Sequence, residues 1–192
     1  MVPAPAYVVA GHVSKDLLSP GASIPGGTAL YASLTAQALG VPAGLVTALA
    51  PADADLLAPA RAAGVLCQVR PSPATTTFTP VYDGEARRLR ITAQAAALHP
   101  RDFPPAWAGA RILHLGPVAA EIAAAPTWAD RSRAALVGVT PQGWLRSWDA
   151  TGWIVPSPWA AAGPLLARAD VLVLSLEDVG YDQEALMGYV GQ

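Results

Sequence analysis

Residues 7–39 read YVVAGHVSKDLLSPGASIPGGTALYASLTAQAL, and this stretch decides the fold. Tyr7–Gly11 is a short apolar, β-rich run that ends at glycine, which predicts a buried strand. Pro20 to Gly27 is rich in Pro, Gly and Ser and predicts a loop. Thr28 to Leu39 holds no Pro or Gly and stops at Gly40, so it predicts a helix buried on several sides. The pattern then repeats. Leu45–Leu49 predicts a strand. Asp53 to Ala63 predicts a helix with acidic residues in its first turn and Gly64 just past its end. Val65–Val69 predicts a third strand. Strand, helix, strand, helix, strand implies a parallel sheet with helices on its faces.

The texture changes at Pro71. Thr75–Tyr82 (TTTFTPVY) alternates, Asp83-Gly84 signals a turn, and Arg87–Thr92 (RRLRIT) alternates again. This predicts a β-hairpin outside the main sheet. Its arginines Arg87, Arg88 and Arg90 form either a solvated face or a contact to an anionic ligand, and alternation divides them between faces. Beyond it, Ile112–Leu115, Leu136–Val139 and Val171–Leu174 predict strands. Pro117–Ala125, Trp159–Ala169 (interrupted by Gly163-Pro164) and Gln183–Val190 predict helices. Pro141-Gln142-Gly143-Trp144 predicts a loop, with Trp144 packed rather than pocket-lining. The strand Val171–Leu174 leaves one sheet edge uncovered. With a helix only begun at Gln192, this leads us to expect a truncated polypeptide.

Composition narrows the function. The chain has 192 residues, 53% hydrophobic and 14% charged, with a net charge of -2. It is too apolar for disorder and too neutral for a nucleic-acid partner. No apolar run nears the ~18 residues that span a bilayer, so no membrane partner is expected. The first ten residues lack a basic n-region, which argues against a secretory signal. The single cysteine, Cys67, excludes an internal disulfide and reads as a small core residue. A cytoplasmic protein is expected. The absence of Asn fits either a heat-adapted source or coding bias.

Several catalytic signatures are missing: a Walker A loop, G-x-G-x-x-G after the first strand, G-x-S-x-G and H-E-x-x-H. His12, His99 and His114 are too scattered for a metal-site pattern. One constellation remains. Asp16 lies five residues after the first strand, and Pro25-Gly26-Gly27 opens the helix at Thr28. Open α/β sheets bind ligands at the carboxyl ends of their strands. A carboxylate there accepts hydrogen bonds from neighbouring hydroxyls of a sugar or polyol. Two glycines let the backbone approach a ligand closely. The alternative is a solvated Asp and an ordinary Gly-Gly turn.

The segments YVVAGHVSKDLL and PGGTALYASLTAQALG resemble the N-terminal signature of the PfkB (ribokinase-like) carbohydrate kinases. The hairpin over 75–92 falls where that family has a β-lid. ADVLVLSLEDVGYD (169–182) falls at the strand followed by Asn-x-x-Glu. The resemblance implies an α/β ribokinase-like fold: a mainly parallel sheet, helices on both faces and a small hairpin lid. It further implies phosphoryl transfer from ATP, with Mg²⁺, to an alcohol of a sugar or polyol. Asp16, Gly26, Gly27, Thr28, Tyr31 and Thr77 become substrate-binding candidates, with Phe78 a second lid residue over the substrate. Asp178 and Ser175 become metal candidates. A homodimer through the lid or the open sheet edge is the implied assembly.

This chain departs from the family in three places. Tyr31 stands where the family has Asn, four residues after the second glycine. Ser175 and Asp178 replace the Asn and Glu of Asn-x-x-Glu. The family's Gly-Ala-Gly-Asp motif, which supplies the catalytic base and an anion hole, is not found. The C-terminal part of the fold is therefore expected to be missing, and residues 1–192 to form an incomplete domain that is catalytically silent alone. The alternative is a non-catalytic sugar-binding or dimerisation module of the same fold. Gly-Gly-Thr-Ala and the loop at 141–144 resemble the inositol-kinase-like branch, which points to a cyclitol. An unrelated α/β domain would lack the hairpin.

Overall fold

The computed structural model describes residues 4–19, 21–83, 86–123 and 125–190. The first strand, β1 (Tyr7–Ala10), is central: Val8, Val9 and Ala10 have no exposed surface. After it come β2 (Ser14–Ser19), β3 (Ala22–Gly26), α1 (Thr28–Ala38) and β4 (Ala43–Leu49). Next are α2 (Ala58–Ala62), β5 (Leu66–Pro71), β6 (Thr77–Asp83) and β7 (Ala86–Ala93). The rest comprises β8 (Ile112–Leu115), β9 (Leu136–Val139), β10 (Arg146–Trp148), β11 (Ile154–Pro156), α3 (Ala162–Leu166), β12 (Val171–Leu172) and α4 (Gln183–Val190).

Six strands form one parallel sheet in the order β12-β9-β8-β1-β4-β5. Alternation along β1 sends Val8 and Ala10 to one face and Val9 to the other. On the Val9 side, α1 and α2 cover Leu45, Leu49, Leu57 and Ala60. On the Val8 side, α3 and the tryptophan-rich segments cover Leu113, Leu115, Trp128 and Leu165. Trp144 stacks on Trp159 with ring centroids 4.8 Å apart, packed as the sequence implies. Both faces are dry, which is why these strands read as continuous apolar runs. Among the described residues no helix is long and apolar enough to cross a membrane.

A second sheet, order β3-β2-β6-β7, stands beside the first. The predicted hairpin over 75–92 is its β6–β7 half, paired antiparallel; Gly84 of the predicted turn lies outside the described residues. The other half corrects the sequence reading. Pro20–Gly27 is not a loop throughout, because Ala22–Gly26 pairs antiparallel with β2 (Asp16↔Ile24). Asp16 is accordingly a strand residue. Pro25 is tolerated because β3 is the sheet's edge strand.

Four helix readings are also corrected. Asp53–Ala63 is not one helix but a 3-10 segment, Pro51–Leu57, followed by α2. Pro59 has no N–H to bond back four residues and crowds the preceding turn. Helix α1 is buried along one side only, at Ala29, Leu30 and Ser33, with Tyr31 exposed. The helix expected over Pro117–Ala125 does not form across residues 117–123: Ala120 takes a left-handed φ of 54°, and Leu98 exchanges backbone bonds with Glu121 and Ala123. Trp159–Ala169 shortens to α3, with Gly163-Pro164 in its first turn, where a missing N–H costs nothing. The β10–β11 hairpin was not anticipated. The strand at 171–174 shortens to two residues at the sheet edge, where Val171 and Val173 are exposed.

Within the main sheet, the Tyr7 hydroxyl lies 2.6 Å from His114 Nδ1, and His114 Nε2 lies 2.9 Å from Thr140 Oγ1. Burial pushes the Tyr7 phenol up and pulls His114 down from 6.5 to about 4. Between those two pH values the unfolded chain binds more protons at this residue than the folded one. Stability is therefore expected to fall as pH drops from 6.5 toward 4, by on the order of 2–3 kcal/mol. Urea unfolding at a series of pH values checks this; His114→Gln should flatten the profile in that window.

Candidate functional site

A cleft of about 430 Å³ opens where the second sheet leans over the carboxyl ends of the first. Each wall comes from a loop or strand just past such an end. Val118 follows β8, Gln142, Leu145 and Arg146 follow β9, and Glu177 and Asp178 follow β12. Ser14, Asp16 and Gly27 line it from the β2–β3 side, Phe78, Arg88 and Leu89 from β6 and β7, and Ile154 and Pro156 from β11.

The chain leaves the core after β1 and returns to it at α1, and the two crossings touch. Gly27 has φ +98°, and a Cβ there would lie 2.4 Å from the His12 carbonyl oxygen. At Gly26 a Cβ would lie 2.4 Å from Asp16 Oδ2 and 2.7 Å from Ser14 Oγ. The Gly-Gly pair thus makes room for the Asp16 carboxylate, whose Oδ1 accepts a bond from Ser14 Oγ at 2.9 Å. His12, fully buried, fixes the crossing. Its Nε2 faces the Ala96 carbonyl at 3.0 Å and so donates there. Its Nδ1 lies 2.7 Å from the Thr76 hydroxyl, which also accepts from the Ala95 N–H. Both connections into the β6–β7 hairpin are thereby tied to one imidazole.

Glu121 holds the opposite crossing. Its carboxylate is 1% exposed and accepts backbone bonds from His12 at 2.7 Å, Val118 at 3.0 Å and Ala119 at 2.7 Å. Sequence reading missed it, though a lone acidic residue inside the run VAAEIAAA was the available signal.

Asp16, Gly27 and Asp178 share the cleft, with Gly26 behind Asp16. Asp178 accepts from Gln142 Nε2 at 3.1 Å, and from Ser175 through its N–H at 2.9 Å and its hydroxyl at 3.0 Å. Ser175 thus braces Asp178 rather than lining the wall. Thr28, Tyr31 and Thr77 are not lining residues. The Tyr31 hydroxyl donates to the Pro25 carbonyl, and that of Thr77 to the Thr75 carbonyl. Arg146 and Glu177 are additions to the sequence-derived set.

Among the described residues no group of three His, Cys, Asp or Glu side chains converges. Mg²⁺ commonly keeps several waters and takes one or two carboxylates together with substrate phosphates. Glu177 and Asp178, adjacent on the cleft wall, fit that requirement.

No family model matches the chain, and no curated protein matches it. Solved structures do. A pyrophosphate-dependent kinase in the ribokinase family, complexed with sulfate, superposes with a TM-score of 0.74 at 22% identity, covering 86% of this chain and 60% of that one. A pyrophosphate-dependent kinase of the same family, complexed with a pyrophosphate analog and myo-inositol, gives 0.73 at 22%, with 86% and 60% covered. A fructokinase from Xylella fastidiosa gives 0.66 at 21%, with 97% and 66% covered. The chain spans about 60% of the length of the first two. These likenesses give the fold, which is ribokinase-like, the fold of PfkB sugar kinases.

Proposed function

We propose that this chain forms the acceptor-binding part of a PfkB-type carbohydrate kinase, which transfers a phosphoryl group to an alcohol of a sugar or polyol. The observation that carries the reading is the placement of Asp16, on β2 of the second sheet, beside Gly26 and lining the cleft together with Gly27. A carboxylate so placed accepts hydrogen bonds from two neighbouring hydroxyls of a polyol. Phe78 and Leu89 close over the bound molecule and exclude water. Mg²⁺, held through water by Asp178 with Glu177, would neutralise charge on the donor's phosphates. Asp178 is braced for this by Ser175.

Transfer also needs a base for the acceptor proton and donors for the phosphoryl charge. Asp16 is committed to binding, so this chain alone is expected to bind without turnover. ATP is the first donor to test. Pyrophosphate joins it because two of the similar structures are pyrophosphate-dependent kinases, and myo-inositol, bound in one of them, heads the acceptors. A cytoplasmic location and a homodimer through the second sheet or the β12 edge accompany this reading. The exposed Val171 and Val173 favour the edge.

Isothermal titration against cyclitols, sugars and nucleosides, with and without Mg-ATP, tests the proposal. One polyol should bind, indifferent to Mg-ATP. Hydrogen bonds to a charged group contribute about 1.5–3 kcal/mol each. Losing two in Asp16→Ala should weaken binding roughly 100-fold or more. Binding to no polyol, or binding that Asp16→Ala leaves intact, overturns the reading.

A further inference from the structure

Resting on the reading of the cleft as an acceptor site, we propose that Trp153 is a positioning residue that fixes the width of the cleft and so limits the size of acceptor it admits. The second sheet ends at β7, whose outer edge would otherwise present unpaired backbone groups. The turn joining β10 to β11 covers that edge. Arg90 and Trp153 form an antiparallel bridge, and the Ile91 N–H donates to the Gly152 carbonyl at 2.9 Å. The Arg90 Nε donates to the Thr151 carbonyl. Alternation puts Arg88 and Arg90 on one face of β7. Both guanidinium groups lie over the Trp153 ring, their carbons 4.3 and 6.0 Å from its centroid. Gly152 is required at the contact: its φ is +87°, and a Cβ there would run into the Ile91 carbonyl oxygen.

The turn holds its own shape. Asp149 Oδ1 accepts from the Thr151 N–H at 2.8 Å, the Thr151 hydroxyl at 2.7 Å and the Trp153 N–H at 3.1 Å. The contact joins two walls of one cavity. Arg88 and Leu89 line the cleft from β7, and Arg146, Ile154 and Pro156 line it from β10 and β11. β10 begins directly after Leu145, a buried residue on the main-sheet side of the same cleft. The β7 margin of the second sheet is thus anchored to the main sheet through Trp153, as its base is anchored through His12. Cation and ring add a broad, flat contact to the backbone bonds. With both margins held, the gap between β7 and β11 does not widen to take a bulkier polyol.

The test is titration of the whole chain with myo-inositol and with sucrose, a bulkier polyol, together with hydrogen exchange at the Ile91 amide read by NMR. Trp153→Ala removes the ring, and Gly152→Ala displaces the backbone contact without touching the ring. The Ile91 amide should be protected in the parent and exchange about tenfold faster in both variants. The parent should prefer myo-inositol to sucrose, and that preference should fall about five- to tenfold in both variants. Destabilisation alone would weaken both ligands alike and leave the preference where it was. Trp153→Phe, which keeps an aromatic face, should fall between parent and Trp153→Ala. Thermal unfolding of every variant confirms that it is folded. Normal myo-inositol binding with an unchanged preference in both alanine variants overturns the size limit alone, as does equal affinity of the parent for both ligands. An Ile91 amide that exchanges as fast in the parent as in the variants overturns the contact itself. Binding of neither ligand by the parent overturns the acceptor reading and the size limit with it.

Discussion

Glu121→Ala is expected to lower the unfolding free energy by roughly 3–5 kcal/mol, because three backbone N–H groups lose a charged acceptor at once. Those donors belong to His12, Val118 and Ala119, two separate stretches of chain that meet at this carboxylate. The end of β1 and the start of the turn after β8 also meet where the Gly116 N–H donates to the Ala10 carbonyl at 2.9 Å, but that bond does not reach Val118 or Ala119. The side chain is 1% exposed, so water replaces it only by entering the space it vacates. Gly143 packs from the other side, where a Cβ would lie 2.6 Å from the Val118 nitrogen. Glu121→Gln keeps the volume but turns an amide donor toward a backbone donor, and should cost about 1–3 kcal/mol. Urea unfolding gives both values. Val118 lines the cleft, so polyol affinity should fall with stability in Glu121→Ala. A variant as stable as the parent would show that the crossing is held by other contacts.

The parallel sheet was legible because its strands are buried on both faces. YVVA, GLVTAL and ILHL leave only a strand reading once glycine and proline bound them. The elements that were misread lie where local pattern and tertiary partner disagree. Ala22–Gly26 looks like a loop by composition and becomes a strand because β2 offers an antiparallel partner. VAAEIAAA looks like a helix by propensity. It turns instead at Ala120, whose φ is +54°, and the residues after it bond to Leu98, which donates to the Glu121 carbonyl and accepts from the Ala123 N–H. The β10–β11 hairpin, three residues a strand, is too short to show a period.

The cleft was half legible. Asp16 and the glycine pair are near in sequence, and the topological rule for open sheets places them at the ligand end. Asp178 stood out only through the family resemblance. Arg146 and Glu177 carry no local signature. They matter because β9 and β12 are parallel neighbours, so the loops after them project the same way. Tyr31 and Thr77 failed to reach the cleft for a geometric reason. Tyr31 lies one helical turn beyond Gly27 on the exposed side of α1, and the Thr77 hydroxyl is taken by the Thr75 carbonyl.

The two adjacent glycines should separate folding from binding. At Gly27 the obstacle to a side chain is backbone: a Cβ 2.4 Å from the His12 carbonyl oxygen, on a residue already at φ +98°. Neither can relax without moving the junction between the two sheets. Left-handed strain and the clash together should cost Gly27→Ala about 3 kcal/mol or more, with polyol affinity lost as well. At Gly26 φ lies outside the left-handed region, and the obstacles are side-chain ends, Asp16 Oδ2 at 2.4 Å and Ser14 Oγ at 2.7 Å. Those rotate away cheaply, so Gly26→Ala should lose about 1 kcal/mol or less. The rotation nevertheless takes the carboxylate off its position, and a misplaced binding group gives up most of its hydrogen-bond energy. Polyol affinity should therefore drop tenfold or more in a chain that unfolds almost as the parent does. Thermal unfolding and titration on the same two samples read both quantities. If Gly26→Ala binds polyol like the parent, Asp16 is not the residue that holds it, whatever Gly27→Ala does to stability.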